Sequence, residues 1–208
     1  GYMGTDLKVS NRGPHPTRRK ITHIPRFARE ALQTTWLAWD TELRFSFHIF
    51  PVSRTDFIAP FHLFNNRLVF APYGDDDFLQ IPYTAVRCDL EHDLVLGRMG
   101  KPIFTRTIRL AKPEQAMWFA CDNSDHSYGE KHSSWNFVSE IHVDEPFPHT
   151  QHDLISFPHP IPFGLCGSPL LTRDGIVAMA TAGSDSVSYF TNLHLVEWLN
   201  VEPLAEEQ

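Results

Sequence analysis

Short apolar runs separated by turn residues dominate this chain, and long runs with helical spacing are scarce. Runs of this length, bounded by Gly, Pro, Asn and Asp, are typical of β-strands. Strands are predicted over Leu43 to Val52, Phe57 to Phe61, Leu68 to Phe70, Leu94 to Met99, Ala116 to Ala120, Ile141 to Val143, Pro169 to Leu171, Ile176 to Ala180 and Ser186 to Phe190. Short helices are predicted within Arg26 to Leu37 and over Leu193 to Leu199. The pattern therefore predicts an all-β fold of many short strands.

Composition is consistent with one compact β-rich unit. The chain has 208 residues, of which 42% are hydrophobic and 16 are phenylalanine, enough to bury a full core. No apolar stretch approaches the roughly 18 to 20 residues of a membrane-spanning helix, and no secretory signal is visible. The 3 cysteines indicate a reducing compartment, and Cys88 and Cys121 are interpreted as structural or incidental thiols.

The N-terminal segment is basic, although the whole chain has a formal net charge of -7. Its cationic residues are Arg12, Arg18, Arg19, Lys20, Arg26 and Arg29. A basic segment can bind RNA, but this one lacks the interleaved aromatic side chains on which bases stack. We therefore favour a solvated arm, with weak RNA binding as the alternative.

A glycine-rich turn places a thiol just before an apolar strand. The turn reads Gly164-Leu165-Cys166-Gly167-Ser168-Pro169-Leu170. A nucleophile that attacks a peptide carbonyl needs a tight turn, with backbone N–H groups that converge on the developing oxyanion. Cys166 is the candidate nucleophile and, by analogy with such turns, the N–H groups of Gly164 and Cys166 form the oxyanion hole. For the turn taken alone, a small buried cysteine without catalytic role is the alternative.

Two upstream segments and one downstream region extend this pattern. They are Phe57-Ile58-Ala59-Pro60-Phe61-His62-Leu63-Phe64, then Glu91-His92-Asp93-Leu94-Val95-Leu96-Gly97-Arg98-Met99, and finally Leu170-Leu171-Thr172-Arg173-Asp174-Gly175-Ile176-Val177 with Ser188-Tyr189-Phe190-Thr191-Asn192. Together they resemble the nuclear inclusion a proteases of potyvirus-like plant viruses, which belong to the chymotrypsin-like cysteine proteases of positive-strand RNA viruses. The order His62, Asp93, Cys166 is the order used on the chymotrypsin fold.

The resemblance implies a chymotrypsin-like double six-stranded β-barrel with the active site between the barrels. The expected organisation is a basic arm and short helix over 1–40, a first barrel over 41–105, a second barrel over 106–200 and a tail over 201–208. His62 and Asp93 then belong to the first barrel, and Cys166 belongs to the second.

The three residue types are needed together because a free thiol, with a pKa of roughly 8.5, is mostly protonated at neutral pH. His62 is expected to take the proton of Cys166 and pass it to the departing amine, while Asp93 holds the imidazole ring. Among 12 histidines, His62 is selected because it follows an apolar run. His92 is predicted to be only a neighbouring surface group.

A second group of polar residues raises the question of a metal site. It consists of His142, His149, His152, Asp153 and His159. Interspersed prolines predict an irregular loop here, and the spacing matches no compact zinc pattern. Neither a metal nor an organic cofactor is expected.

The resemblance weakens at the residues that select substrate. The resembled proteases usually cut after glutamine, whose amide they hold with a histidine after the nucleophile and a threonine before it. Ala180 and Ile161 occupy these positions here, and neither side chain donates a hydrogen bond. The resemblance also places the substrate strand along Ala180, Thr181, Ala182, Gly183 and Ser184. The prediction is a pocket that tolerates apolar or other non-glutamine residues, unless His159 supplies the missing donor.

These observations predict a virus-encoded cysteine endopeptidase that cuts polyprotein cleavage-site peptides in the host cytoplasm or nucleus, without membrane association. The alternative is a protease-like double barrel with little turnover that binds RNA or a viral partner. A serine-type cellular protease or chaperone of the same fold is disfavoured by the thiol at position 166.

Overall fold

The computed structural model describes residues 24–122, 127–144, 147–160 and 167–201. Within these residues the chain forms one α-helix, thirteen β-strands and four short 3₁₀ turns. Residues 1–23 of the predicted segment 1–40, residues 202–208 of the predicted tail, and the residues Ile161, Gly164 and Cys166 lie outside the described residues. No helix in the described part of the chain is long and apolar enough to cross a membrane.

The first six strands form an antiparallel sheet of order β4-β1-β2-β3-β6-β5. Their bounds are β1 Trp36–Asp40, β2 Phe45–Pro51, β3 Asp56–Pro60, β4 Leu68–Pro72, β5 Tyr83–Asp89 and β6 Leu94–Met99. Its core is aromatic, since Phe47, Phe57, Phe70 and Phe104 are almost completely buried. Gly97 interrupts the apolar run of β6 because the Phe57 ring occupies the space that a Cβ would need.

The remaining seven strands form a second antiparallel sheet of order β8-β7-β11-β12-β13-β10-β9. Their bounds are β7 Met117–Asp122, β8 Ser127–His132, β9 Asn136–Val143, β10 His149–Phe157, β11 Pro169–Thr172, β12 Gly175–Gly183 and β13 Ser188–Asn192. Its core contains Phe119, Phe157 and Phe190, which pack edge-on or tilted with ring centroids 4.8 to 5.7 Å apart.

A third apolar cluster joins the two sheets and the helix α1, Arg26–Leu32. Ala28 and Leu32, four residues apart on one face of α1, are fully buried. They share this cluster with Ile58 of the first sheet and Met179 of the second. Burial of a large aliphatic side chain contributes about 1.5 to 3 kcal/mol, so this cluster holds the two sheets in a fixed arrangement.

The predicted all-β class is confirmed, and several elements differ from the prediction. Helix α1 ends at Leu32, and β1 begins at Trp36, so the first sheet starts earlier than residue 41. The second sheet has seven strands in the described residues rather than six. The segment from Leu193 to Leu199 forms two 3₁₀ turns instead of a helix.

Candidate active site

His62 and Asp93 meet at the end of a strand pair in the first sheet. His62 lies in the 3₁₀ turn that follows β3, and Asp93 directly precedes β6. Because Pro60 of β3 pairs with Leu94 of β6, the end of one strand lies beside the start of the other. Nδ1 of His62 lies 2.6 Å from Oδ2 of Asp93, and the backbone N–H of His62 donates to Oδ1 at 3.0 Å.

The backbone of Asp93 adopts the left-handed conformation, with φ of 55°. Aspartate tolerates this region better than most residues, at a small conformational cost. The turn is held by two hydrogen bonds: Asp93 N–H donates to Leu90 O at 3.2 Å, and Phe61 N–H donates to Asp93 O at 3.0 Å. The backbone conformation of Asp93 therefore directs its carboxylate toward His62.

Two residues of the second sheet complete the environment of Asp93. The hydroxyl of Thr181 donates to Oδ2 at 2.6 Å, and Nε2 of Gln151 donates to that hydroxyl oxygen at 2.8 Å. A carboxylate only accepts, so Nδ1 of His62 carries the proton and Nε2 is the basic nitrogen. Thr181 was expected beside the substrate, and its side chain is instead directed toward Asp93.

His92 is not the surface group that was expected. Its side chain is only 14% exposed, with Nδ1 2.7 Å from Oδ2 of Asp89 and Nε2 2.8 Å from Oδ2 of Asp153. Asp89 belongs to the first sheet and Asp153 to the second, so the ring bridges both. The hydroxyl of Thr191 donates to the His92 carbonyl at 3.0 Å. Burial acts to lower the pKa of His92, but hydrogen bonds and charges from Asp153 and Asp89 together raise it.

Gly167, which directly follows Cys166, is the first residue after this thiol that the structure describes. Gly167 has a left-handed φ of 83°, and a Cβ there would lie 3.0 Å from the carbonyl oxygen of His48, so both conformation and space favour glycine. Gly167 N–H donates to Ala180 O at 3.0 Å. The immediate neighbour of Cys166 is therefore anchored one residue from Thr181, whose hydroxyl reaches Asp93.

The backbone of His48 lies next to Gly167 of this turn. A role for His48 was not predicted from the sequence. It is buried, and burial lowers the pKa of its imidazole to about 4. The Thr35 hydroxyl donates to Leu32 O at 2.7 Å, so Nδ1 of His48 donates to the Thr35 oxygen at 3.1 Å. His48 is neutral near pH 7, and an internal histidine of this kind has no local sequence signal.

The strand β12 is paired with β11 over only part of its length. Its pairing with β11 ends at Met179, opposite Pro169, and Ala182 and Gly183 pair on their other side with β13. Beyond Ala180, this edge of β12 has no strand partner within the described residues. An open edge of this kind binds an extended peptide by main-chain hydrogen bonds. The N–H and carbonyl of Ala180 are bonded to Ser168 and Gly167, and Ser184 N–H donates to Val187 O at 2.8 Å. Substrate contact along Ala182 and Gly183 therefore stays a prediction.

The polar residues considered for a metal site do not converge. The expected irregular loop is wrong, because His142 lies in β9 and His149 to Asp153 lie in β10. His142 pairs with Asp144 at 3.2 Å, His152 with Glu140 at 3.8 Å, and Asp153 with His92. No group of three His, Cys, Asp or Glu that could hold a metal is found in the part of the chain that the structure describes.

No protein-family model and no curated protein matches this chain, but solved structures match its fold. The HRV-C 3C protein with rupintrivir has a TM-score of 0.64 and 13% identity, over 81% of this chain and 96% of that one. The MamO protease domain from Magnetospirillum magneticum has 0.58 and 12%, over 83% and 98%. Deg5 has 0.61 and 12%, over 83% and 89%.

At such identities the similarity shows the fold alone. The three proteins are chymotrypsin-like proteases, and the two antiparallel sheets of this chain match their double β-barrel. The predicted chymotrypsin-like double barrel is therefore confirmed. The finer resemblance to nuclear inclusion a proteases is not shown by these similarities.

Proposed function

We propose that this protein is a cysteine endopeptidase in which Cys166 is the nucleophile, His62 the general acid and base, and Asp93 the residue that orients His62. The observation that carries the proposal is the 2.6 Å contact between Nδ1 of His62 and Oδ2 of Asp93. Structural ion pairs are common, but this one lies at the junction of two barrels, beside the turn that leads to a thiol.

The proposed reaction begins when Nε2 of His62 takes the proton of the Cys166 thiol. The thiolate attacks the peptide carbonyl, and the N–H groups of Gly164 and Cys166 hold the oxyanion. His62 then gives the proton to the departing amine, which leaves a thioester. Water, deprotonated by His62, hydrolyses the thioester and restores the thiol. Throughout, Asp93 stabilises the imidazolium. Hydrogen bonds from the Thr181 hydroxyl and the His62 backbone N–H hold the Asp93 carboxylate in place.

The proposed substrate is a viral polyprotein, cut inside the host cell. This assignment is supported by the resemblance of the segments around His62, Asp93 and Cys166 to nuclear inclusion a proteases. The fold similarity to the HRV-C 3C protein is consistent with it.

A peptide library whose products are identified by mass spectrometry tests the proposal. We expect cleavage by the wild-type protein and a loss of roughly a thousandfold or more in Cys166→Ala and His62→Ala, because members of a catalytic unit do not act independently. Cys88 is an exposed free thiol, so Cys88→Ala is the matched control and is expected to keep wild-type activity.

Alkylation identifies the reactive thiol separately. In the Cys88→Ala background, iodoacetamide is expected to label Cys166 faster than Cys121, and His62→Ala is expected to slow that reaction. Cleavage that survives Cys166→Ala, together with equal labelling of the remaining thiols, would contradict the proposal.

A further inference from the structure

The second barrel contacts the turn that carries Asp93 at a second residue, His92. Oδ2 of Asp153, in β10, lies 2.8 Å from Nε2 of the His92 ring. The hydroxyl of Thr191, in β13, donates to the His92 carbonyl at 3.0 Å. The second barrel therefore holds His92 at both its ring and its backbone, directly before the residue that contacts His62.

The His92 ring lies between two carboxylates. Its Nδ1 lies 2.7 Å from Oδ2 of Asp89, and its Nε2 lies 2.8 Å from Oδ2 of Asp153. A neutral imidazole has only one N–H and would direct the lone pair of its other nitrogen at a carboxylate, whereas an imidazolium donates at both nitrogens. The geometry therefore fits the cation. Burial opposes this charge, but hydrogen bonds and charges from Asp153 and Asp89 raise the pKa of His92.

Other polar groups surround these two carboxylates. The Trp198 indole donates to Oδ2 of Asp89 at 2.7 Å, and the Arg87 guanidinium lies 5.4 Å from the centroid of that indole. The next carboxylate along the chain, that of Asp93, is held by the hydrogen bonds described above. The other titratable residues of the surrounding elements are half-buried or exposed: Cys88, Glu91, His152, Tyr189, His194 and Glu197. The polar contacts of the His92 ring itself are with the two carboxylates, which therefore set its charge.

The backbone on both sides of this contact has an uncommon conformation. Asp93 has a φ of 55° and Asp153 a φ of 63°, and both angles lie in the left-handed region. Asp153 is skipped in the pairing of β10 with β9, which joins the residues on either side of it. Conformations of this kind persist where surrounding contacts hold them, and they cluster at functional sites. Here the skipped residue is the one that contacts the His92 ring.

We propose that protonated His92, held by Asp153, is a positioning residue for Asp93, and that loss of its proton slows the reaction. The inference rests on the proposed endopeptidase function. A neutral His92 directs one nitrogen lone pair at a carboxylate, and this repulsion weakens the attachment of the Asp93 turn to β10. Fewer contacts then hold the backbone of Asp93, and its carboxylate is directed less accurately at His62.

The expected pH dependence differs from that of the thiol. A free thiol, with a pKa of roughly 8.5, becomes more reactive as pH rises because its thiolate fraction increases. Loss of the His92 proton acts in the opposite direction, and the raised pKa of His92 places this loss above the ordinary range of histidine. A fall of kcat on the alkaline side of the optimum is therefore expected, although the thiolate of Cys166 becomes more abundant there.

The pH profile of kcat in Asp153→Asn tests the inference, with a peptide that the wild-type protein cleaves. Asparagine keeps the shape of the side chain and tolerates the left-handed backbone, but it has no charge to favour the His92 cation. We expect the alkaline limb to move to lower pH, so that kcat on the wild-type limb falls by roughly three- to tenfold. The acid limb, where protonation blocks Nε2 of His62, is expected to stay in place. KM is expected to change little, because the substitution acts on the catalytic groups rather than on peptide binding.

Glu140→Gln is the matched control. Glu140 is an exposed carboxylate of β9 that lies 3.8 Å from Nδ1 of His152. This variant therefore removes an equal charge from the same pair of strands without changing a partner of His92. We expect it to keep the wild-type pH profile.

His92→Gln removes the titration itself, because glutamine can donate to one of the two carboxylates but does not gain a proton. We expect a kcat at the optimum that is roughly three- to tenfold lower than that of the wild type. We also expect that kcat no longer falls over the pH interval in which the wild-type value falls. Rates are measured well below the melting temperature of each variant, so that unfolding does not contribute.

Proton NMR of Cys166→Ala gives a second measurement, which needs no turnover. The Nδ1 proton of His62 lies in the 2.6 Å contact with Asp93, so its resonance reports the geometry of that contact. We expect this resonance to shift as pH rises through the titration of His92. The shift is expected to occur at lower pH when Asp153→Asn is added and to be absent when His92→Gln is added.

A uniform fall of kcat at every pH in Asp153→Asn, with the alkaline limb unmoved, would show that the contact is only structural and would overturn the inference. A His62 resonance that responds to neither substitution would overturn it as well. Either result leaves the proposed function intact. Cleavage that does not depend on Cys166 would instead refute the proposed function.

Discussion

The hydroxyl of Thr181 donates a hydrogen bond to Oδ2 of Asp93 at 2.6 Å and thereby links the second barrel to the first. Asp93 and His62 lie in turns beside strands of the first sheet, whereas Thr181 and Gln151 belong to strands of the second. The orientation of the candidate base therefore depends on how the barrels are docked. We therefore expect substitutions at Thr181 or Gln151 to affect the proposed reaction through Asp93.

The first prediction concerns this link. Thr181→Val keeps the shape of the side chain but removes its hydroxyl, which leaves Asp93 with one donor fewer and the Gln151 amide without its acceptor. We expect kcat to fall by roughly tenfold, because small misplacements of catalytic groups are costly. We also expect a loss of about 1 to 3 kcal/mol in the free energy of unfolding. Peptide cleavage kinetics and urea denaturation measure these two effects. Thr84 is an exposed threonine of β5, so Thr84→Val is the control and is expected to change neither quantity.

The second prediction separates the two roles of Asp93. Asp93→Asn retains a side chain that tolerates the left-handed backbone, but its NH₂ group only donates, so in either orientation the amide loses hydrogen bonds that the carboxylate accepts from His62 or Thr181. Asp93→Ala also loses this tolerance, at a cost of roughly 1 to 2 kcal/mol. We expect both variants to cleave more slowly than wild type but faster than His62→Ala, since a thiol depends less on the third residue than a hydroxyl does. Only Asp93→Ala is expected to show the additional loss of melting temperature. An Asp93→Asn variant as inactive as His62→Ala would show that the reaction depends fully on the carboxylate.

Some of this fold was predictable because local patterns agree with the tertiary structure. The strand β6 has the predicted bounds Leu94–Met99, since its apolar run is buried against neighbouring strands. The strand β5 was missed because its central residues are exposed, which leaves no alternation to detect. The strand β10 was mistaken for a loop because of nearby prolines. Those prolines lie outside His149–Phe157 and mark the ends of the strand rather than breaking it.

The candidate site was also only partly predictable from the sequence. His62 and Asp93 were found because the segments around them resemble those of a known family. The contact of His92 with Asp153 joins residues from separate barrels, and the stacking of His132 on Phe119 joins residues from two different strands. Neither arrangement leaves a local pattern in the sequence. Thr181 was predicted to lie beside the substrate, after a strand that ends at Ala180. The strand β12 instead continues to Gly183, with a bulge between Ala180 and Ala182, and the Thr181 hydroxyl is bonded to Asp93.

The third prediction concerns the link between the barrels at His92. Its folded-state pKa is raised relative to an unfolded value of about 6.5. The protonated form is therefore favoured by folding, so this contribution is fully present below pH 6.5 or so and is lost as pH rises through the folded-state pKa. We expect the melting temperature of the wild-type protein to fall over that interval. In His92→Gln this fall should be smaller, because glutamine does not titrate. His194→Gln is the control for an exposed histidine, and a pH dependence unaltered by His92→Gln would rule out His92 as its source.

The last prediction concerns His48, for which the dependence of stability on pH is opposite in direction to that of His92. Burial lowers its folded-state pKa to about 4, so between this value and about 6.5 the unfolded chain binds a proton that the folded chain does not. Stability should therefore decrease as pH falls from 6.5, by roughly 2 to 3 kcal/mol at pH 4.5 if the pKa shift is fully expressed. Urea denaturation at pH 4.5, 5.5 and 6.5 measures this slope.

His48→Gln keeps an amide that can donate to Thr35 but cannot titrate, so we expect a weaker slope in that variant. Because the His48 carbonyl oxygen lies 3.0 Å from the position that a Cβ on Gly167 would take, beside the candidate nucleophile, the acid-induced loss of stability should coincide with a loss of peptide cleavage. If instead His48→Gln left the slope unchanged, the acid sensitivity would have to arise from other groups.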